Sequence, residues 1–265
     1  INLAGSDDQK NQWLPKIAGG ECVIGVGLSE YVGAREDAGI EFSNGKLSGR
    51  CLFLIDGKNA DAYLLANKSG ELFLVEASAP GIEVIELTTV DKTRTSIELI
   101  LKNVDADLLS GSDNKSIIEK VLDAGRIMLA ADTVGAAQVM LDKSVAYSLE
   151  RKQFGRLIGS FQAVKHMCAE MAAELEPCHS MIWHAAHCFD NVPEEARLMA
   201  CQTKAHISEV GQQISKTATE VHGGMGFTDE LGLHYWFKRI GLNRQLLGSP
   251  ELIREEAGRL QGFDQ

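Results

Sequence analysis

Between Glu21 and Leu109 the chain alternates short apolar runs with turn-forming residues, a pattern that predicts β-strands. The apolar runs cover residues 22–28, 52–55, 63–66, 72–75 and 97–101. They are separated by turn signals at Ser43-Asn44-Gly45, Asp56-Gly57, Lys68-Ser69-Gly70 and Pro80-Gly81. Because glycine, proline and short polar residues favour turns, we expect an all-β domain over residues 21–110.

After Ser110-Gly111-Ser112 the period changes, and apolar residues recur every three or four positions, as on one face of a helix. The first such run contains Ile118, Val121, Leu122, Ile127, Leu129, Val134, Ala137 and Met140. Similar runs cover about 158–190 and 193–219, and Pro177 is expected to kink or split the former. Long helices joined by short loops predict a helical bundle over residues 111–265.

The first residues of the chain predict one more helix. Ser6 begins a capped helical segment, and Gly19-Gly20 interrupts it because glycine disfavours a helix interior. We interpret residues 1–20 as the tail of a larger helical domain. The predicted fold class is therefore α+β, with a helical tail, a β domain and a helical bundle in that order.

Charge narrows the classes of partner. The 265 residues carry 26 Lys and Arg against 37 Asp and Glu, a formal charge of −11, which disfavours nucleic acid and anionic membranes as general partners. The sequence has no run of about 18 apolar residues and does not begin with a basic segment followed by an apolar one. We expect a cytoplasmic protein that binds neither nucleic acid nor membrane.

The cysteines form no Cys-x-x-Cys pair and no regular framework, so we expect reduced thiols. They are Cys22, Cys51, Cys168, Cys178, Cys188 and Cys201. One stretch looks superficially like a metal site, because His184, His187 and Cys188 share one predicted helical face. Zinc ligands normally come from two elements joined by a turn, whereas these residues lie on a single apparent helix. No metal site is therefore predicted.

Two short motifs carry candidate chemistry. Residues 151–155, Arg-Lys-Gln-Phe-Gly, put a guanidinium that can bind phosphate through two hydrogen bonds beside an aromatic ring and a glycine. Residues 222–227, His-Gly-Gly-Met-Gly-Phe, offer backbone that a diphosphate can approach closely, because glycine has no Cβ. With their order, their spacing and the long helical segments around them, these motifs resemble those of the acyl-CoA dehydrogenase family.

The resemblance extends over essentially the whole chain and implies the family's architecture. Members have a helical N-terminal domain, a middle β-barrel and a C-terminal four-helix bundle, and they assemble as dimers of dimers with FAD bound between subunits. The resemblance thus makes residues 1–20 the tail of the N-terminal domain, which is otherwise largely absent. Residues 21–110 would form the barrel, and residues 111–265 the bundle with the adenylate contacts and the oligomer surface.

The resemblance also implies which residues contact FAD. In the family the arginine of the first motif reaches across the subunit interface to the pyrophosphate, an aromatic residue packs nearby, and the Gly-Gly turn contacts the adenylate part. The corresponding residues are Arg151, Phe154, Gly155, Glu220, Gly223 and Gly224. Glu220 departs from the usual glutamine, and its carboxylate repels a diphosphate unless it is protonated, paired or turned away.

The residues with which the family contacts the flavin ring are only partly matched in this sequence. They come from Thr-Glu-Pro, Gly-x-Gly-Ser and Trp-x-Thr segments, which correspond here to residues 29–35 and 53–55. Ser29 can still donate a hydrogen bond and Phe53 can still stack on a ring. Ile55 cannot hydrogen-bond to a flavin, and Arg35 replaces a small hydroxyl side chain.

The catalytic base is missing from both positions that the family uses. Its reaction removes an α-proton from an acyl-CoA thioester with a carboxylate, while the β-hydrogen leaves as hydride to the flavin. The resemblance places the base at Leu247 or, as in some members, at Gly125 beside Arg126. The nearest carboxylates are Glu251, expected to start the last helix, and Asp123, expected to point about 160° away from position 125.

These departures predict a particular role. A chain that keeps the contacts lent across the interface but lacks the base resembles the non-catalytic subunit of α2β2 acyl-CoA dehydrogenases associated with bacterial steroid side-chain degradation. A homologous partner would carry the base and the acyl-CoA substrate and pass electrons to a separate acceptor, and this chain alone would be inactive. Two alternatives stay open: a self-sufficient homotetramer with its base relocated to Glu251 or Asp123, and a scaffold without flavin contacts.

Overall fold

A computed structural model describes residues 1–32, 38–109, 111 and 115–263. The chain forms two compact units, Ile1–Leu122 and Asp123–Gln265. The first contains the strands of the large sheet, and the second contains most of the long helices and a two-stranded hairpin. The domain limits inferred from the sequence, 1–20, 21–110 and 111–265, stay predictions.

The first unit begins with the predicted capped helix, α1, Asp7–Ala18. The Ser6 hydroxyl accepts a hydrogen bond from the Gln9 N–H at 3.2 Å, and the Gln9 side chain accepts one from the Ser6 N–H at 2.9 Å. This reciprocal pair is a capping box, which satisfies two backbone donors that the helix leaves open. Gly19 caps the other end, and a short helix, α2, Ser29–Val32, occurs later in this unit.

Eight strands of the first unit form one mixed sheet. They are β1 Ile24–Gly27, β2 Gly39–Ser43, β3 Lys46–Ile55, β4 Ala62–Ala66, β5 Leu72–Glu76, β6 Ile82–Leu87, β7 Ser96–Asp105 and β8 Asp107–Leu108. The order is β6-β7-β3-β1-β4-β5-β8, with β2 also paired to β3. Strands β1 and β4 are parallel, and the remaining pairs among the described residues are antiparallel. Each predicted apolar run lies in or overlaps one of these strands.

Turn chemistry and burial explain why these residues form a sheet. Asn44 and Gly45 join β2 to β3 with φ of 52° and 77°, the two left-handed angles of a type I′ hairpin turn. Leu47, Leu65 and Phe73 are fully buried in the core of this unit. Each such side chain stabilises the fold by about 1.5–3 kcal/mol relative to an exposed one.

Five helices belong wholly or mainly to the second unit. They are α3 Lys115–Glu150, α4 Gln162–Asn191, α5 Pro193–His222, α6 His234–Gln245 and α7 Pro250–Leu260. Helix α4 continues through Pro177, so the split that the sequence allowed at this residue does not occur. Among the described residues no helix has both the length and the apolar character needed to cross a membrane.

Helix α5 lies at the centre of this unit. Its residues Ile207, Ile214 and Ala218 are buried against apolar side chains from α3, α4 and α6. A Cβ on Gly211 would stand 2.5 Å from the Thr133 methyl carbon, so α3 and α5 can approach this closely only because position 211 is glycine. The ends of these packed helices carry the candidate motifs.

Candidate functional site

The first motif forms a tight hairpin beyond the end of α3. Strands β9, Lys152–Gln153, and β10, Arg156–Leu157, pair antiparallel on either side of Phe154 and Gly155. The two turn residues have left-handed φ of 53° and 78°, as in a type I′ turn. Phenylalanine rarely adopts this φ, and its ring is 90% exposed. The hairpin therefore holds an aromatic ring in solvent at the cost of backbone strain.

The cationic side chains of this hairpin have defined surroundings. Arg151 is exposed, and its backbone N–H donates to the Tyr147 carbonyl at 2.9 Å, which fixes where the hairpin leaves α3. The Arg156 guanidinium carbon lies 3.9 Å from the Phe161 ring centroid, and Phe154 meets the same ring edge-on at 6.1 Å. Arg156 is thus engaged with a ring, whereas Arg151 extends towards solvent.

The second motif forms the turn that ends α5. Gly223 has φ 58° and ψ −139°, a backbone conformation that is essentially restricted to glycine. Its N–H donates to the Glu220 carbonyl, and a 3-10 turn over Gly223–Phe227 follows. Within the described part of the chain, nothing but sequence neighbours comes within 4 Å of a Cβ built on Gly223 or Gly224. The backbone of this turn is therefore open to a ligand.

A pair of rings brings the two motifs to the same end of the helices. The Tyr147 and His222 rings lie 4.6 Å apart between centroids and are inclined by 30°. Tyr147 accepts the hydrogen bond of Arg151, and His222 directly precedes Gly223. Burial lowers the pKa of His222, so its ring is neutral near pH 7. We assign the proton to Nδ1, because this atom lies 2.7 Å from the Ala218 carbonyl oxygen.

These residues fit the diphosphate and adenylate part of FAD. The guanidinium of Arg151 can bind phosphate oxygens through two hydrogen bonds, and the turn at Gly223 and Gly224 permits close approach of backbone N–H groups. Glu220, the departure from the family pattern, has an exposed side chain. Its carboxylate can remain in water and does not have to face the anion. None of these groups is a redox centre or a general base for the reaction.

The residues expected beside a flavin ring belong to the first unit and are only partly described. Phe53 lies at an irregularity between β3 and β7 with φ 51°, and its ring is 54% exposed. Leu54 next to it is fully buried, and Ile55 ends β3. Arg35 and the side chain of Ser29 lie outside the described residues. Phe53 thus offers an exposed ring, but Ile55 adds no hydrogen-bonding group.

The two positions at which the family carries its base lie against each other. A Cβ on Gly125 would stand 2.5 Å from Leu247 Cδ1, so the leucine side chain fills the space that the glycine leaves beside α3. Leu247 has a left-handed φ of 57°, an uncommon conformation for a side chain of this size. Two positions far apart in sequence therefore converge on one place, and that place is apolar.

Arg126, next to Gly125, is 2% exposed and fixes the segment around Leu247. Its Nε donates to the Leu247 carbonyl at 3.1 Å, and its Nη2 donates to Glu256 at 2.8 Å. Its Nη1 lies 3.2 Å from the Cys201 sulfur. A buried guanidinium needs such partners, because an unpaired charge in a protein interior is very costly.

The carboxylate of Asp123 belongs to the same buried network. It lies 3.2 Å from Arg197 and 3.8 Å from Arg126, and Arg197 also pairs with Glu256. Burial raises the pKa of Asp123 to about 6, although the two arginines work in the opposite direction. For Glu256 burial is outweighed by the hydrogen bonds and charges of Arg126 and Arg197, so its pKa is lowered. Asp123 is thus held in an ion-pair network.

Glu251, the other nearby carboxylate, lies in the first turn of α7 behind the N-cap Ser249, as the sequence predicted. It forms an ion pair with Arg244. Hydrogen bonds from its own backbone N–H, from Ser249 and from Arg244 lower its pKa to about 2. A carboxylate with so low a pKa is a poor proton acceptor at neutral pH.

The candidate flavin contacts and the base position lie at opposite ends of α3. Gly125 is near the beginning of the helix, and Arg151 follows its last residue. With a rise of about 1.5 Å per residue, the two positions are separated by about 40 Å along the helix axis. Arg151 and position 125 of one chain therefore lie far apart along α3.

Sequence patterns did not reveal the network around Arg126 or the contact between Tyr147 and His222. The only available signal was a charged residue in an apolar helical stretch, since Arg126 precedes Ile127 on the buried side of α3. Its partner Glu256 comes from α7, a long way along the sequence. Spacing within one helix cannot identify such a partner.

The sequence matches one protein family and several of its members. The profile described as "Acyl-CoA dehydrogenase, C-terminal domain" matches residues 115–260. The probable acyl-CoA dehydrogenase YngJ of Bacillus subtilis is 30% identical over 272 residues, or 94% of this chain and 71% of YngJ. The caffeyl-CoA reductase-Etf complex subunit CarC of Acetobacterium woodii is 29% identical over 252 residues, or 86% of this chain and 65% of CarC. The match to CarC thus spans less than two thirds of that relative's length.

Solved structures agree with the sequence comparison. The Tcur3481-Tcur3483 steroid ACAD matches with a TM-score of 0.86 at 26% identity, over 97% of this chain and 72% of that chain. A glutaryl-coenzyme A dehydrogenase in complex with glutaryl-CoA matches with a TM-score of 0.89 at 24% identity, over 100% of this chain and 72% of that chain. At the latter identity the likeness shows a shared fold.

A mixed sheet is followed in sequence by long packed helices, which is the α+β fold of the acyl-CoA dehydrogenases. The chain belongs to the acyl-CoA dehydrogenase family, whose members bind FAD and act on CH–CH bonds. The predictions of the family, of its fold and of FAD as the family's cofactor are confirmed.

Proposed function

We propose that this chain is the non-catalytic subunit of an α2β2 acyl-CoA dehydrogenase and completes the FAD site of a homologous catalytic partner. The observation that carries this proposal is the contact between Leu247 and Gly125. Both positions at which the family holds its base are apolar here, and the Leu247 side chain fills the space beside Gly125. Neither of the two positions therefore supplies a proton acceptor.

The residues that fit FAD have a different task. Arg151 and the backbone at Gly223 and Gly224 hold the diphosphate and adenylate, and Phe154 covers this part of the nucleotide from the strained hairpin. Since Arg151 is about 40 Å along α3 from position 125, these contacts serve a flavin whose ring lies in another chain. This supports a site shared between subunits.

The chemistry divides accordingly. When bound, FAD supplies the hydride acceptor for α,β-dehydrogenation of an acyl-CoA thioester. The residues of this chain bind the nucleotide, neutralise its charge and orient it, while a carboxylate of the partner removes the α-proton. A separate electron-transfer acceptor then reoxidises the complex. The name of the CarC relative, a subunit of a reductase-Etf complex, supports an electron-transfer partner for this chain.

The substrate of the complex is proposed to be a steroid side-chain CoA ester. The likeness to the Tcur3481-Tcur3483 steroid ACAD supports this class of acyl group. We propose a cytoplasmic location for the complex. Neither nucleic acid nor membrane is required as a partner in this scheme.

Substitution of the arginine tests the proposed FAD contact. In the complex reconstituted with its partner, Arg151→Ala should weaken flavin retention by about tenfold or more, because charge-assisted hydrogen bonds contribute about 1.5–3 kcal/mol. The measurement is the FAD content after gel filtration and dilution. Arg259→Ala is a matched control, since it removes an exposed guanidinium paired with Glu255 at the end of α7.

The two variants separate the alternatives. Loss of FAD from Arg151→Ala, with retention in Arg259→Ala, supports a subunit that lends its residues to a flavin. Equal retention in both variants would contradict the proposal and favour a scaffold without flavin contacts.

A further inference from the structure

A second group of potential ligands lies where α4 turns into α5, outside the residues assigned to FAD. His184 and Cys188 are one helical turn apart on α4, so their side chains share a face. Glu195 lies in the first turn of α5. The nitrogen, sulfur and oxygen atoms that these side chains offer all lie within 4.8 Å of one another.

The distances are close to those of a tetrahedral metal site. The Cys188 sulfur is 3.7 Å from His184 Nε2, 4.0 Å from its Nδ1 and 4.0 Å from Glu195 Oε2. In a tetrahedral zinc site, Zn–S of about 2.3 Å and Zn–N of about 2.0–2.1 Å place sulfur and nitrogen about 3.5 Å apart. Small side-chain rotations therefore suffice to bring the three ligand atoms to one ion.

Burial and charge favour a cation at this place. Cys188 is 1% exposed, whereas His184 and Glu195 are exposed, so the sulfur lies at the inner end of the group and the other ligands at its mouth. Glu194 precedes Glu195 in the first turn of α5, so two carboxylates lie at this end of the helix. Their negative charges favour a divalent cation at this place.

We propose that His184, Cys188 and Glu195 bind one Zn²⁺ ion, with water in the fourth position. Thiolate and imidazole together select zinc over magnesium or calcium, which prefer oxygen ligands. On binding, the Cys188 thiol releases its proton to solvent and forms the Zn–S bond without any change of oxidation state.

The sequence predicted no metal here, but the structure shows that the argument behind this prediction does not hold. That argument was that all candidate ligands lay on one helix. Because α4 ends at Asn191 and α5 begins at Pro193, the chain reverses sharply and Glu195 supplies a ligand from a second element. An ion bound in this way links the two helices and stabilises the folded chain, since it binds the folded form in preference.

Cobalt and zinc titrations of the full chain test the site. The chain is reduced, stripped with a chelator and titrated with Co²⁺, whose bond to a thiolate gives a charge-transfer absorption, and Zn²⁺ is then added to displace it. We expect one equivalent of Co²⁺ to bind with this absorption and to be displaced by one equivalent of Zn²⁺. Cys188→Ser should abolish the absorption, and Glu195→Gln should weaken binding by about tenfold or more.

Cys178→Ser is the matched control. Cys178 is another buried thiol of α4, and its sulfur contacts the Glu174 carbonyl, so its removal should leave binding unchanged. Glu195→Gln alters a surface side chain, which keeps the test valid even where Cys188→Ser perturbs the core. Absence of the absorption, its persistence in Cys188→Ser, its loss in Cys178→Ser or unchanged affinity in Glu195→Gln would each overturn the proposal.

Discussion

Leu247 lies beside a group of buried charged side chains that pair with one another. Leu247 packs into the space beside Gly125, and Arg126 binds the Leu247 carbonyl and Glu256. Asp123, the nearest acid on α3, is held by Arg197. The charged groups in this region therefore satisfy one another, and they stabilise the contact of α3 with α7.

Removal of the Arg126 side chain should destabilise the folded chain. We expect Arg126→Met to lower the free energy of unfolding by about 3 kcal/mol, because it leaves buried carboxylates with one arginine fewer. Arg259→Met removes an exposed pair spaced i, i+4 and should cost about 0.5 kcal/mol or less. Chemical denaturation of both variants measures the difference, and equal stabilities would show that the buried network contributes nothing.

Some features of single residues can be predicted from the sequence, and others depend on contacts between helices. The loss of the base at Leu247 and Gly125 could be inferred, because those positions are marked by neighbouring motif residues. The contacts of Arg126 could not be inferred, because Glu256 and Arg197 come from other helices. Glu195 was missed for the same reason: its distance from Cys188 depends on how α4 reverses into α5.

Among the elements, the hairpin formed by β9 and β10 combines backbone strain with the proposed function. Phe154→Asn creates an Asn-Gly turn, the pair most favoured in type I′ hairpins, and should release about 1 kcal/mol of strain. The same variant removes the exposed ring proposed to cover FAD, so flavin retention in the complex should fall. Thermal denaturation and FAD content measure the two effects.

Phe154→Ala provides the matched control for this hairpin. It removes the same ring and the same edge-on contact with Phe161 but leaves a non-glycine residue that disfavours positive φ. It should therefore lose flavin like Phe154→Asn and be less stable by about 1 kcal/mol. Full flavin retention in both variants would remove Phe154 from the proposed contacts.

The end of α6 depends on a buried lysine. The Lys204 ammonium donates to the Asn243 carbonyl at 2.7 Å, to the Arg244 carbonyl at 3.3 Å and to the Ser208 hydroxyl at 3.0 Å. It thus satisfies carbonyls that the last turn of the helix leaves open. Burial, with smaller contributions from Arg126 and Arg244, lowers the pKa of Lys204 to about 7 from 10.5.

This pKa predicts how stability depends on pH. Between about pH 7 and pH 10.5 the unfolded chain holds a proton on Lys204 that the folded chain has lost, so the contribution of Lys204 to stability rises with pH. The difference in unfolding free energy between the wild type and Lys204→Met should grow by at most about 1.4 kcal/mol per pH unit in this window. A difference independent of pH would show that the lysine keeps its proton when folded.

The elements themselves were largely predictable. Periodicity located the long helices and the buried strands, because their apolar faces repeat regularly. Strands β2, β6 and β8 were not identified, since they are short or lie at the edge of the sheet, where burial imposes little pattern. The continuity of α4 through Pro177 depends on packing within the helical unit, which a local rule for proline does not include.

For the whole molecule, the length of α3 sets the distance between the proposed FAD contacts and the position of the family's base. The proposed FAD contacts follow the end of the helix, and the position of the family's base lies near its beginning, about 40 Å away along the helix axis. Family and fold could be inferred from the sequence because the motifs are specific. The role of the chain within an assembly depends on residues of a partner chain, which this sequence does not contain.

Native mass spectrometry of the chain, alone and co-expressed with its homologous partner, tests the proposed division of roles between the two chains most directly. We predict that the isolated chain carries no FAD, and that the complex contains both chains in equal number with one FAD for every two chains. One FAD per chain in the isolated protein, or as many flavins as chains in the complex, would contradict the account and favour a self-sufficient homotetramer.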